Sequence, residues 1–96
     1  MQDNLGDMNR QLMLDANAVA GLLLEIFGTE MTAAPTECAT CGAEGQIGTL
    51  LAFTQGPGIV LRCPECENVV VRITQTPDAY YLDARGAVYL RLSRLG

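Results

Sequence analysis

Four cysteines are the residues of this chain with the most definite chemistry. Cys38 and Cys41 form one Cys-x-x-Cys pair, Cys63 and Cys66 form a second, and 21 residues separate the pairs. Two residues between cysteines let both thiolates of one tight turn point at a single ion. The turn also aims backbone N–H groups at the sulfurs and partly neutralises their charge. Two such turns supply four thiolates, the full donor set of a tetrahedral ion. Gly42 follows the first pair and tolerates the positive φ that such a turn uses. In the second pair Pro64 fixes φ just after the first ligand. Glu67 and Asn68 stand where a glycine is expected, and Asn68 is the better suited to the left-handed region.

The ion expected from four thiolates is zinc, one per chain, with iron the lesser alternative. Four thiolates saturate a tetrahedral zinc and leave no position for water, so the site is expected to be structural, with no catalytic residue. Iron in the same cage would make a rubredoxin-like electron carrier. The scarcity of aromatic residues and Glu67 in place of glycine weigh against it. A dithiol redox switch and disulfides are further readings. Two pairs in register are more economically explained as one site, and paired cysteines in a reducing compartment are usually metal ligands.

The rest of the composition narrows the chemistry further. The chain has no histidine, which removes the commonest general base and any Ser-His-Asp set. Gly56-Pro57-Gly58 lies between expected strands and lacks the lysine of a phosphate loop. The protein is therefore expected not to be an enzyme. The formal charge is −5, unevenly placed: seven acids and one arginine over residues 1–45 (net −6), four acids and five arginines over 46–96 (net +1). Four thiolates and a divalent cation add −2, which takes −5 to about −7. Such a molecule repels a phosphate backbone at long range, so nucleic acid is a disfavoured partner. No apolar run approaches the roughly 20 residues of a membrane span, and the polar start is not a secretory signal. The expectation is a cytoplasmic protein without a membrane partner.

The elements that must position the cysteines follow from periodicity. Residues 1–11 have no period and are expected to form a flexible tail, leaving 12–96 as a single domain. Asp15 is a good N-cap for a helix over about 16–27, in which Val19, Leu22, Leu23, Ile26 and Phe27 share one face. Gly28 is placed for a left-handed stop. Residues 31–36 read as a linker, and 47–53, 59–62 and 69–74 as strands, the last β-branched throughout its first half. Tyr80–Asp83 and Ala87–Leu92 read as a hairpin joined through Gly86, in a register that pairs Tyr81 with Tyr89 and Leu82 with Val88.

The two cysteine pairs at the ends of a β-hairpin, with a strand after the second, resemble the zinc-ribbon family over about residues 36–76. The helix and linker are similar to those of a group of small uncharacterised bacterial zinc-ribbon proteins. That likeness rests on Leu14-Asp15-x-Asn17-Ala18 and Phe27-Gly28-Thr29-Glu30-Met31-Thr32. The resemblance implies a small α+β fold, mostly β: a zinc ribbon with an N-terminal helix and a C-terminal β-hairpin (about 79–93) extending an antiparallel sheet. It implies no activity. The expected role is a protein–protein interaction or adaptor module, with a protein partner or a second copy of the chain. The apolar helix face, Leu22 and Ile26 foremost, and the hairpin residues Tyr81, Tyr89 and Arg91 are the candidate contact surface. The alternative is a nucleic-acid- or ribosome-associated protein using an Arg/Tyr sheet face drawn from Arg62, Arg72, Arg85, Arg91, Arg94 and the tyrosines.

Overall fold

The computed structural model describes residues 13–56 and 58–94, so the expected tail at 1–11 lies outside the described residues. The fold is a small α+β one, mostly strand, with one short N-terminal helix and two antiparallel sheets. Strand β1 (Met13–Asp15) leads through a 3-10 turn (Ala16–Val19) into helix α1 (Ala20–Phe27). Strands β2 (Pro35–Cys38) and β3 (Glu44–Gln46) follow, then a second 3-10 turn (Ile47–Thr49). After these come β4 (Leu51–Phe53), β5 (Gly58–Arg62), β6 (Val69–Thr76), β7 (Ala79–Asp83) and β8 (Ala87–Leu90). One sheet has the order β1-β4-β5-β6-β7, the other β3-β2-β8. Among the described residues no helix is long and apolar enough to cross a membrane.

The helix signals act where the sequence puts them, with one change. Asp15 caps as expected, its carboxylate accepting from the Asn17 N–H at 3.1 Å. The first turn is nevertheless 3-10 rather than α, and its otherwise unpartnered Ala16 N–H donates to the Leu50 carbonyl of the neighbouring strand at 3.0 Å. Gly28 stops the helix at φ 74, donating to the Leu24 carbonyl at 2.8 Å. The apolar stripe docks on the protein's own five-stranded sheet. Leu23 is buried with Leu61, Val71 and Ile73, and Ile26 and Phe27 pack against the same core. Tyr80 on β7 closes the contact from the sheet side by donating its hydroxyl to Glu25.

Three expectations need correction. The expected strand over 47–53 is broken at Ile47–Thr49, where the chain crosses from one sheet to the other. Hydrogen bonds from Ile47 N to Ala34 O (2.9 Å) and Gly48 N to Thr32 O (2.8 Å) hold that crossing. They leave no room for a side chain at Gly48, whose Cβ would lie 2.9 Å from the Thr32 oxygen. The expected linker at 31–36 ends in strand, because Pro35 and Thr36 pair with Gln46 and Gly45 on one side and Thr36 with Leu90 on the other. The C-terminal strands both form, but in different sheets. β7 extends the large sheet with Tyr81 opposite Thr74, and β8 pairs with β2, Tyr89 opposite Glu37. The expected Tyr81–Tyr89 and Leu82–Val88 registers are therefore absent. The local turn signal was real, since Ala87 N donates to Ala84 O at 3.0 Å. Each strand finds a better-matched edge elsewhere.

Gly86 is where the two sheets meet. Its carbonyl accepts from Ala39 N at 2.9 Å, just inside the first cysteine pair. Its α-carbon lies against the backbone of Val69, where a Cβ would come within 1.9 Å of the carbonyl oxygen. Gly86→Ala is expected to destabilise the protein by about 3 kcal/mol, at the upper end of ordinary overpacking costs, because the colliding atom is backbone and cannot rotate away. Denaturant unfolding of the two proteins at equal metal loading measures it.

Candidate metal centre

The two cysteine pairs sit in turns built on one hydrogen-bond plan. In the first, Cys38 N donates to Ala43 O (2.9 Å) and Gly42 N donates to Cys38 O (2.9 Å). In the second, Cys63 N donates to Asn68 O (2.9 Å) and Glu67 N donates to Cys63 O (2.8 Å). Each pair of bonds closes the chain over the same span, five and four residues after the first cysteine. The residue at the fourth position must turn left-handed in both. Gly42 does so at φ 80, as expected. At the second turn the expectation of Asn68 is wrong: Glu67 itself adopts φ 64, alone among the non-glycine residues described. The bond to Cys63 O fixes which residue must carry the positive φ, whatever its side chain prefers. That conformation costs roughly 1–2 kcal/mol for a residue with a Cβ. Arg62 helps to hold it, donating from Nη1 to the Glu67 carbonyl at 2.9 Å.

Folding brings the four sulfurs together. All four Sγ atoms lie within 4.8 Å of one another, with Cys38–Cys66 at 3.6 Å and Cys41–Cys63 at 3.7 Å. Both short separations run between the turns, so each turn contributes one sulfur to each close pair. Metal–sulfur bonds of about 2.3 Å in a tetrahedron put the sulfurs about 3.8 Å apart, so these residues fit a tetrahedral thiolate-bound ion. They are far from the roughly 2.05 Å of a disulfide. Cys38 and Cys63 are buried, Cys66 is half-buried and Cys41 is exposed. The ligand set thus has two anchored members inside and one at the surface.

Polar groups favour charge on the second turn. Glu65 N approaches Cys63 Sγ at 3.4 Å, and Asn68 Nδ2 approaches Cys66 Sγ at 3.4 Å. The Asn68 side-chain amide, with its backbone N–H, lowers the Cys66 thiol to about 6. At Cys41 the Ala43 backbone pulls the thiol down. Burial and the three neighbouring sulfurs outweigh it and push the value up to about 12. Four thiols this close titrate as a coupled group, and the Asn68 donors favour the thiolate form at Cys66. Asn68 was singled out in the sequence for its backbone. Its role as a sulfur ligand-holder was not visible there, because it depends on where the side chain lands.

The family model for DUF6510, a family of unknown function, matches residues 8–94. The chain belongs to that family. No curated protein and no solved structure matches it. In this DUF6510 member the other sequence-flagged residues are scattered around the centre. Leu22 faces Ile59 and Ile73 at the helix–sheet contact, and Ile26 packs on the core. Tyr81 is 64% exposed on β7. Tyr89 is exposed on β8, and the exposed Arg91 just beyond it ties its N–H to the Pro35 carbonyl at 2.9 Å. Tyr81 and Tyr89 thus belong to different sheets and do not share one strand pair.

A thiol lowered by folding contributes stability that is present above its unfolded value and lost as pH falls through its folded one. In the metal-free cluster that window for Cys66 runs from about 9 down to about 6, while Cys41, pushed up to about 12, acts in the opposite sense as pH rises above about 9. Removing the Asn68 amide raises the Cys66 thiol, so Asn68→Ala is expected to release bound metal at a higher pH than the unaltered protein. Acid titration followed by a metal-sensitive dye measures the midpoint. Glu67→Gly removes the left-handed strain at some cost in unfolded-chain entropy. It is expected to raise stability by about 0.5–1 kcal/mol with metal stoichiometry unchanged. Thermal unfolding of the loaded proteins checks it.

Proposed function

We propose that the four cysteines hold one structural zinc ion and that the protein is a non-enzymatic zinc-ribbon module whose work is binding a protein partner. The observation that carries the reading is the convergence of four sulfurs from two turns of matching hydrogen-bond plan. Zinc suits a donor set of four thiolates with tetrahedral spacing, and such a set leaves no open position for a reacting water. When bound, zinc would supply cross-linking of the two turns and nothing to a substrate. Its binding energy, about 10–16 kcal/mol in small structural sites, is large against what so short a chain gains from its core.

The partner reading draws on the edges of the sheets. β7 and β8 are terminal strands of their sheets and carry Tyr81, Leu82, Val88 and Tyr89 at the surface. Exposed aromatic and branched side chains on a terminal strand offer backbone pairing together with the residue types that dominate binding hot spots.

Native mass spectrometry is expected to find one zinc per chain in colourless protein. Stripping the metal with a chelator is expected to abolish most of the β-sheet circular dichroism. Retention of the full signal, or a red iron-loaded protein from the native cell, would sink the structural-zinc reading. Val88→Asp with Tyr89→Asp is expected to abolish capture of the protein partner while leaving zinc content unchanged. Capture unaffected by both changes counts against the β8 edge.

A further inference from the structure

We propose that the face of the five-stranded sheet turned away from helix α1 binds single-stranded nucleic acid, a function that shares only Tyr81 with the protein-binding edges. Strand register defines this face. Side chains directly opposite in antiparallel strands point to the same side. Leu61, Val71 and Ile73 point to the helix side and are buried in the core. The alternate positions therefore point the other way. They form a row of Phe53, Val60, Arg72 and Asp83 across β4 to β7, and beside it a row of Gly58, Thr74 and Tyr81. Arg62, next along β5 on the same side, lies over the Phe53 ring at 5.4 Å.

The distal part of this face has no covering layer among the described residues. Arg72 and Thr74 are exposed, and Tyr81 is 64% exposed. The small sheet reaches only the Val69–Val70 end, through Gly86. There Arg72, Asp83, Arg85 and Gly86 line a recess of about 320 Å³. Gly58 leaves a gap between the two aromatic positions, and its close approach to the Ile73 carbonyl, 2.6 Å from where a Cβ would be, keeps that position empty.

Charge selects the occupant. The strand register puts two acids on this face: Asp83, which Arg85 holds in an ion pair at 3.0 Å, and Asp15 at the β1 edge opposite Leu51, whose carboxylate accepts from the Asn17 N–H. Arg62, Arg72 and Arg85 against Asp15 and Asp83 leave this face one net positive charge on a chain whose formal charge is −5, with Arg62 and Arg72 outside the Arg85–Asp83 ion pair. Four of the other described acids lie elsewhere: Glu25 on the helix, Glu37 and Glu44 on the small sheet, and Glu65 in the second cysteine turn. A cationic patch between two aromatic platforms, one of them with its ring open to solvent, matches an anionic backbone carrying flat bases. Tyr81 and Phe53 are three strands apart, about 15 Å, a span that takes a short stretch of extended strand and not a stacked duplex end. A protein acid would satisfy the arginines and leave the Tyr81 ring unused. The net negative charge slows approach, so binding is expected to be strongest at low salt.

Fluorescence anisotropy at about 50 mM salt, on zinc-loaded full-length protein, tests this with labelled eight-residue oligouridylate and oligothymidylate. Base-free polyphosphate and an acidic peptide of equal charge serve as competitors. Binding of either oligonucleotide is expected, with a slope of log K against log salt of about −1.4 for two phosphate contacts. Preference between the two identifies RNA or DNA as the source. Arg72→Gln is expected to bring the slope to about −0.7. Tyr81→Ala is expected to weaken binding about tenfold, and Tyr81→Phe to restore it, since stacking needs the ring and not the hydroxyl. Zinc content and thermal unfolding are measured on every variant, so a failure of the metal reading shows separately as lost zinc. Absent oligonucleotide binding with zinc in place overturns the proposal. So does equal competition by polyphosphate or the acidic peptide, or Tyr81→Ala binding as the unaltered protein does.

Discussion

Most of the structure depends on one meeting of backbone turns: the closure that places Cys38 and Cys41 against Cys63 and Cys66. The two turns come from different sheets. Cys38 ends β2 of the small sheet, and Cys63 follows β5 of the large one. Their approach is supported by ordinary packing around it. Cys38 and Cys63 belong to the same buried cluster as Leu50 and Val70. Gly86 binds the first turn through Ala39 and rests on the strand that leaves the second. A metal held by the four cysteines would tie the two sheets together at this point, a device short chains use where the core is small.

The centre is not symmetric, although its turns share a plan. Glycine makes the first turn without strain, and its second cysteine is exposed. The second turn uses a strained glutamate, held by Arg62, and places two nitrogen donors near its sulfurs. Thiolate charge is therefore better supported on the second turn, and solvent reaches the first. An ion held by such a set is anchored on one side and approachable on the other.

The helix and the outer sheet face divide the remaining surface between structure and interaction. The apolar stripe of α1 lies on the protein's own sheet, with Leu23 buried and Glu25 receiving the Tyr80 hydroxyl. Leu22 and Ile26 are left half-buried along that contact. Arginine and aromatic side chains that are far apart in sequence gather on the opposite side of the same sheet, whose distal part has no covering layer among the described residues. The local positive field there arises within an acidic protein because strand alternation sorts side chains by face, independently of the total charge.

Local signals were legible because they depend on a few neighbouring residues. The cysteine spacing, the Asp15 cap, the Gly28 stop and the positive φ at Gly42 all appear as read. The β-branched run at Val69 forms a strand as read, the longest among the described residues. What sequence could not decide was partner choice among strands. The turn at Gly86 favours a hairpin locally, yet β7 and β8 each gain more by completing different sheets, and that comparison involves residues 36–38 and 72–76 at long range. The left-handed glutamate at position 67 was hidden for the same reason, since a hydrogen-bond plan shared with the first turn overrides the preference of the side chain. Residue types and spacing thus determined the donor set for a metal and the existence of most elements. Only the tertiary structure decided which faces those elements present, because a strand's neighbours, and hence its buried and open sides, are set by packing between segments distant in the chain.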